Sequence, residues 1–289
     1  MADNNKKIEK DQLTGVDTTG HEWDGLKELN NPLPRWWLWV FYVTIVWSIW
    51  YWVVYPAWPT LTGHTAGNKG WSQYKEMAEA QDEVALRKQA FLQKMEGKSL
   101  AEIKEDPETY KFAVTGGKIA FKNHCATCHG SGAAGVKGYP NLNDDDWLWG
   151  GSLDEIYTTI KYGIRAEHDD TRYSEMSAFG RDELLDRAQI EDVADYVLSL
   201  SGKAEATETG AALFAENCAS CHAEDGTGDR TVGAPNIADA IWLYGDARED
   251  VIETITNARY GVMPNWDTRL DEDTIKQLTI YVHSLGGGE

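Results

Sequence analysis

Two copies of one five-residue word decide what most of this chain can fold into: Cys125-Ala126-Thr127-Cys128-His129 and Cys218-Ala219-Ser220-Cys221-His222. C-x-x-C-H is the attachment signature of c-type haem. The two thiols add to the two vinyl groups of one porphyrin, and the His that follows is held where a ring nitrogen binds the iron. Such a segment must be wrapped by helices around a flat apolar group, and that group supplies much of the core that a short chain could not build alone. All four cysteines are used by the two words, and none is left for a disulfide. Two other uses of paired thiols compete. A four-thiolate zinc site takes its ligand pairs from closer along the chain, whereas 88 residues separate these two words. A Cys-x-x-Cys redox motif belongs beside a βαβ unit, and no strand pattern surrounds either copy. The expectation is two covalently bound haem c groups.

The remaining axial ligands are sought downstream. Of five methionines only Met176 and Met263 follow a haem word, 47 residues after His129 and 41 after His222. A thioether favours ferrous iron, so His/Met ligation raises the potential, and it leaves no open position for oxygen or peroxide. The competing use of a Met is core packing. In the first unit His168 is a rival ligand, which would give a His/His haem of lower potential.

The repeat extends beyond the haem words. Tyr139-Pro140-Asn141-Leu142 matches Ala234-Pro235-Asn236-Ile237, and each Pro is followed seven residues later by a Trp, Trp147 or Trp242. Thr158 to Ile164 resembles Thr256 to Val262; Met263 follows directly, whereas a polar insertion, Arg165 to Glu175, precedes Met176. Each unit closes on a helical pattern ending Tyr196-Val197-Leu198-Ser199-Leu200 or Tyr281-Val282-His283-Ser284-Leu285, with Gly or Ser-Gly beyond it. This predicts a mainly α chain with two tandem class I cytochrome c domains, 113–202 and 203–289. Trp147, Trp242, Tyr162 and Tyr260 are read as porphyrin-packing side chains. Arg165 and Arg259 are candidates for haem propionates, an exposed Arg being the commoner outcome.

From Trp36 to Tyr55 twenty residues run without a charge, and ten are aromatic. At 1.5 Å rise per residue that length crosses the ~30 Å hydrocarbon core. Trp36, Trp37 and Trp39 at one end and Trp50, Trp52, Tyr55 and Trp58 at the other suit aromatic belts. A signal peptide would have a basic start, a shorter apolar run and a small-residue cleavage site. Here 35 residues with five basic and seven acidic groups come first, and no such site follows. The expectation is one retained transmembrane helix, 36–55. Lys27 and Arg35 on one flank and Lys69 and Lys75 on the other give little orientational bias. Because c-haem attachment is completed outside the bacterial cytoplasm, both haem domains are expected in the periplasm and residues 1–35 in the cytoplasm, across the inner membrane. Residues 56–112 read as a helical linker: Trp71 to Gly97 is rich in helix formers, Ser99 to Glu105 resumes the pattern, and Asp106-Pro107 breaks it.

Net charge is −20, and because residues 1–55 hold five basic and seven acidic groups, −18 of it falls on the rest. Asp144-Asp145-Asp146, Glu167 with Asp169-Asp170, Asp246 with Glu249-Asp250, and Asp271-Glu272-Asp273 supply much of it. A charge run is usually a solvated face. Read functionally, it steers a basic redox partner such as a small soluble cytochrome c, with an on-rate that falls with salt. It argues against nucleic acid, whose phosphates would be repelled.

Gly20-His21-Glu22-Trp23-Asp24-Gly25-Leu26, Asn30-Asn31-Pro32-Leu33-Pro34-Arg35-Trp36-Trp37, the aromatic-rich apolar helix, Tyr55-Pro56-Ala57-Trp58-Pro59 and two C-x-x-C-H domains together resemble the CcoP (FixP) family. Its members are dihaem cytochrome c subunits of cbb3-type cytochrome c oxidase. The resemblance covers nearly the whole chain. It implies an electron-transfer subunit with no catalytic residues of its own, in a proton-translocating respiratory complex of the inner membrane. Its partners would be the oxygen-reducing haem b/copper subunit, a monohaem cytochrome c subunit and soluble cytochrome c as donor. Carried over, Cys125 and Cys128 bind one haem with His129 on the iron, and Cys218 and Cys221 the other with His222. Met176 and Met263 fall where the family places the other axial ligands. The family tends to have Pro after this Met, as in Met263-Pro264, where the first unit has Met176-Ser177. Spacing leaves open whether each Met binds its own unit's iron or the other's. Two further readings stay in play: a dihaem peroxidase, which needs one displaceable ligand, and a dihaem subunit of a dehydrogenase-linked membrane complex.

Overall fold

The computed structural model describes residues 8–289, divided into one unit ending at Ala85 and another from Leu86 to Glu289; residues 1–7 of the expected cytoplasmic segment lie outside the described residues. In the first unit an Asp24-Gly25 turn, with φ of 48° and 86°, joins β1 (Thr18–Trp23) to β2 (Leu26–Leu29) as an antiparallel hairpin. Asp-Gly is the preferred pair for a two-residue hairpin turn, because both positions need positive φ. Next comes α1 (Arg35–Val54), a helix apolar all round with none of its side chains buried. By length and composition it is able to cross a membrane. Its two aliphatic hydroxyls bond within the helix, Thr44 Oγ1 to the Phe41 carbonyl at 2.7 Å and Ser48 Oγ to that of Thr44 at 2.8 Å, as a lipid-facing span requires. Tyr55 is extended (φ −111°, ψ 160°) because Pro56 excludes helical backbone before it, so the helix ends one residue short of the predicted limit. A tight hairpin follows, β3 (Pro59–Thr60) and β4 (Gly63–His64).

The linker forms α2 (Gln73–Met95) and α3 (Leu100–Glu105), the latter started by a Ser99–Glu102 capping box. Asp106 caps α4 (Pro107–His124) with Pro107 in its first turn, where its missing N–H costs nothing. The helix that leads into the first Cys-x-x-Cys-His word therefore starts before residue 113. Met95, Leu100 and Ile103 pack with Ala113 and Ile280, so the end of the linker is part of the body that carries the two Cys-x-x-Cys-His words. The first haem word is the single turn α5 (Ala126–His129), and α6 (Leu153–Tyr162) and α7 (Arg187–Leu200) follow, each begun by a capping box. The second copy repeats the plan as α8 (Glu208–Asn217), α9 (Ala219–His222), α10 (Arg248–Asn257) and α11 (Glu272–His283).

Packing does not follow chain order. Helix α11 lies against α4 and α6, and α7 lies against α8 and α10. Each sequence unit keeps its first helix, haem word and short helix, and takes its closing helix from the other. One core joins Phe121, Ile156 and Ile160 to Ile275, Leu278 and Val282; the other joins Phe214, Val251 and Ile255 to Val193, Val197 and Leu198. Equivalent aromatic pairs mark the exchange: Phe121 meets Tyr281 at 5.4 Å between ring centroids, and Phe214 meets Tyr196 at 5.2 Å. Equivalent glycines make room for it. A Cβ on Gly117 would stand 2.1 Å from the Gln277 carbonyl oxygen, and one on Gly210 2.3 Å from that of Asp192. Only residues 201–207 link α7 to α8, and so short a connection makes consecutive helices antiparallel neighbours. That leaves α4 to be covered by α11.

Candidate functional site

The two haem words have one local geometry, built from the helix that leads into each. The His129 N–H donates to the Cys125 carbonyl at 3.0 Å and that of His222 to Cys218 at 3.0 Å, one turn that sets both thiols and the imidazole on the same side of the backbone. Nδ1 of His129 bonds the Pro140 carbonyl and Nδ1 of His222 the Pro235 carbonyl, both at 3.1 Å. A carbonyl only accepts, so the proton sits on Nδ1 and Nε2 keeps the lone pair that an iron needs. Burial pushes both imidazoles below the usual histidine range, against the opposing pull of those carbonyls. Burial thus favours the neutral imidazole, the form a metal ligand must take. The repeated prolines, Pro140 and Pro235, thus have a physical part here through their carbonyls.

Burial, with the neighbouring thiol adding to it, pushes Cys125 and Cys218 up to about 11. Cys125 belongs to the core of α4 and α11, Cys218 to that of α7 and α8. The two pairs therefore form no common four-thiolate site. Each lies beside an apolar cluster and an oriented His, a donor set that fits c-type haem and does not fit structural zinc.

The methionines fall on opposite sides of the exchange. Met263 packs on the core that includes Cys125 and Ala126, and Met176 on the core that includes Cys218 and Ala219. Backbone bonds fix each loop on the other unit's short helix. Met263 and Ile164 exchange N–H···O bonds of 3.0 and 2.9 Å, and Trp266 donates to the Lys161 carbonyl at 3.1 Å. Gly163 (φ 74°) permits this approach, since a Cβ there would stand 2.4 Å from the Met263 carbonyl oxygen. Beyond Met176, the Phe179 N–H donates to Ile255 at 3.0 Å and the Arg181 N–H to Thr256 at 3.0 Å.

His168 is fully engaged elsewhere. Its Nε2–H donates to Asp267 at 3.0 Å, its Nδ1 accepts from the Asp170 N–H at 3.0 Å, and Tyr162 lies 4.9 Å from its ring. With both nitrogens used, it braces the segment after Met263 and has no lone pair for an iron. Trp147 packs in the first core and Trp242 in the second, whereas Tyr260 is exposed under the Arg165 guanidinium. The two arginines turn to protein. Arg259 stacks over Tyr244 and donates to the Asp250 carbonyl and Thr254 Oγ1, and Arg165 donates to the carbonyls of Gly261 and Ser174. Neither arrangement was legible in spacing. The glycines at 117 and 210 were, because each lies four residues before a phenylalanine that enters a haem-side core.

The equivalent loops after Pro140 and Pro235 meet at a cleft of about 220 Å³ lined by Asp145, Asp146, Arg230, Asn236 and Asp239 among others. Burial, reinforced by the charges of Asp239 and Asp144, pushes Asp146 up to about 6.

Residues 15–62 match the family model described as the N-terminal domain of cytochrome oxidase-cbb3, FixP; residues 113–201 match cytochrome c; and 205–282 match cytochrome c oxidase, cbb3-type, subunit III. Among curated proteins, the cbb3-type cytochrome c oxidase subunit FixP of Bradyrhizobium sp. (strain ORS 278) is 52% identical over all of both chains. The subunit CcoP of Cereibacter sphaeroides is 53% identical over 94% of this chain and 95% of its own. FixP of Rhizobium meliloti is 50% identical over the whole of both.

Proposed function

The chain belongs to the CcoP/FixP family of cbb3-type cytochrome c oxidase subunits, and from that premise we propose that it is the membrane-anchored dihaem relay of such an oxidase. It takes electrons from a soluble periplasmic cytochrome c and passes them towards the oxygen-reducing haem b/copper subunit, next to a monohaem cytochrome c subunit. Helix α1 holds it in the bacterial inner membrane, with the N-terminal hairpin cytoplasmic and both haem domains periplasmic.

Two covalently bound haems c are read at Cys125/Cys128 and Cys218/Cys221, with His129 and His222 on the irons. The observation that carries the ligand set is the distribution of the methionines: Met263 packs with Cys125, and Met176 with Cys218. Each haem would thus be held by a Met from the other sequence unit, Met263 for the first and Met176 for the second. A c-type haem held by His and Met supplies one-electron transfer at a raised potential. The chain's residues do the holding. Pro140 and Pro235 orient the imidazoles and the cores built on Phe121 and Phe214 exclude water; with a His and a Met both holding each iron, no position would be left for peroxide. The strong negative charge outside the membrane span steers a basic donor.

Stopped-flow mixing of the purified oxidase with a reduced basic monohaem cytochrome c tests this reading. The c-type haems of this chain are expected to be reduced first, before any b-type haem, at a rate that falls steeply with ionic strength. Reduction of b-type haem ahead of them, or a rate indifferent to salt, contradicts it.

A further inference from the structure

We propose that Arg165 is a positioning residue for both methionine loops at once, one guanidinium that ties them together. Its Nε donates to the Gly261 carbonyl at 2.7 Å and its Nη1 to the Ser174 carbonyl at 2.8 Å. These two carbonyls occupy the same place in the two loops, each two residues before its methionine, Met263 and Met176. The guanidinium also lies over Tyr260, 5.4 Å from the ring centroid, which fixes its plane. Arginine alone among side chains offers a rigid charged fork that spans two separate acceptors; lysine offers a point charge.

The backbone is set for this reach. Arg165 has φ 53°, in the left-handed region that a residue with a Cβ enters at a cost, and its N–H is held by the Arg172 carbonyl at 2.8 Å. It opens the polar insertion of the first unit, which the second unit lacks, since there Val262 leads straight to Met263. The insertion thus breaks the twofold likeness of the repeats, and its first side chain bonds the methionine loops of both halves. A methionine leaving its iron must move its loop against this fork, and so against the other loop. The proposal rests on Met176 and Met263 being the axial ligands.

The test uses the full chain with both haems attached, purified in detergent. Imidazole is added to the ferric protein, and loss of the near-infrared iron–sulfur band is followed at each iron. Met176→Ala and Met263→Ala identify which band belongs to which iron. Arg165→Gln removes one charge-assisted bond from each loop and is expected to speed methionine replacement at both irons, by about tenfold or more. Arg165→Lys, which keeps the charge but holds one carbonyl at a time, is expected to fall between. Acceleration at one iron only, or at neither, overturns the clamp. If Arg165→Gln does not retain haem, unchanged rates in Arg165→Lys overturn it equally. If the two alanine variants leave both bands intact, the ligand assignment itself fails and takes the clamp with it; if they remove one band each while the Arg165 variants change nothing, only the clamp fails.

Discussion

The exchange of closing helices makes a quantitative demand on four aromatic side chains. Phe121 on α4 is 1% exposed, and its ring meets that of Tyr281 on α11 at 5.4 Å and 58°. Tyr196 on α7 meets Phe214 in the other core. A tilted aromatic pair contributes about 0.5–1.5 kcal/mol beyond the area it buries. Leucine at either position keeps an apolar side chain but removes the ring-to-ring term. A double-mutant cycle with Phe121→Leu and Tyr281→Leu should therefore give a coupling near 1 kcal/mol. The same cycle with Phe121→Leu and Tyr196→Leu joins residues of separate cores, and should be additive within about 0.5 kcal/mol. Urea unfolding of the full chain in detergent, followed by tryptophan fluorescence, measures both; equal slopes among variants are needed for the comparison to hold. An unexchanged pair of domains would reverse the outcome, pairing Phe121 with Tyr196. Coupling in that second cycle, or none in the first, refutes the packing described above.

Two other perturbations probe the site. His168→Ala removes the donor to Asp267, whose carboxyl is held below the usual range by Asn265 first and His168 after it; it should weaken the iron–sulfur band of the Met263 iron, leave that of the Met176 iron alone, and cost about 1–2 kcal/mol of stability. Asp146 has a folded-state value raised to about 6, so ionising it opposes folding. Asp146→Asn should leave stability nearly unchanged below about pH 3, where both folded and unfolded chains hold the proton. It should then stabilise increasingly as pH rises to about 6, with no further gain above; thermal midpoints across that range check the sign.

Much of this protein is written locally. The haem words need only a helix end and one turn, so their geometry recurs wherever Cys-x-x-Cys-His follows α4 or α8. The Asp24-Gly25 hairpin, the Ser99, Ser152 and Asp186 caps and the Pro56 stop on α1 are likewise settled by a few neighbouring residues. Charge and hydropathy along the chain set the membrane span and the acidic remainder in the same way.

What the sequence did not determine is which half completes which. The closing helices end alike, in Tyr196-Val197-Leu198 and Tyr281-Val282-His283, so periodicity gives each the same apolar face and says nothing of the surface it will meet. The choice falls to distances that exist only after folding: the short 201–207 link that presses α7 onto α8, and the room at Gly117 that admits α11 against α4. Arg165 and His168 are the same lesson at the level of single side chains. Both looked like candidates for the haem, one for a propionate and the other for the iron, because a charged or nitrogen-bearing residue near a ligand is the signal a sequence carries. Each has a partner more than ninety residues away, the Gly261 carbonyl for Arg165 and the Asp267 carboxylate for His168, brought beside it by the crossing of the two halves.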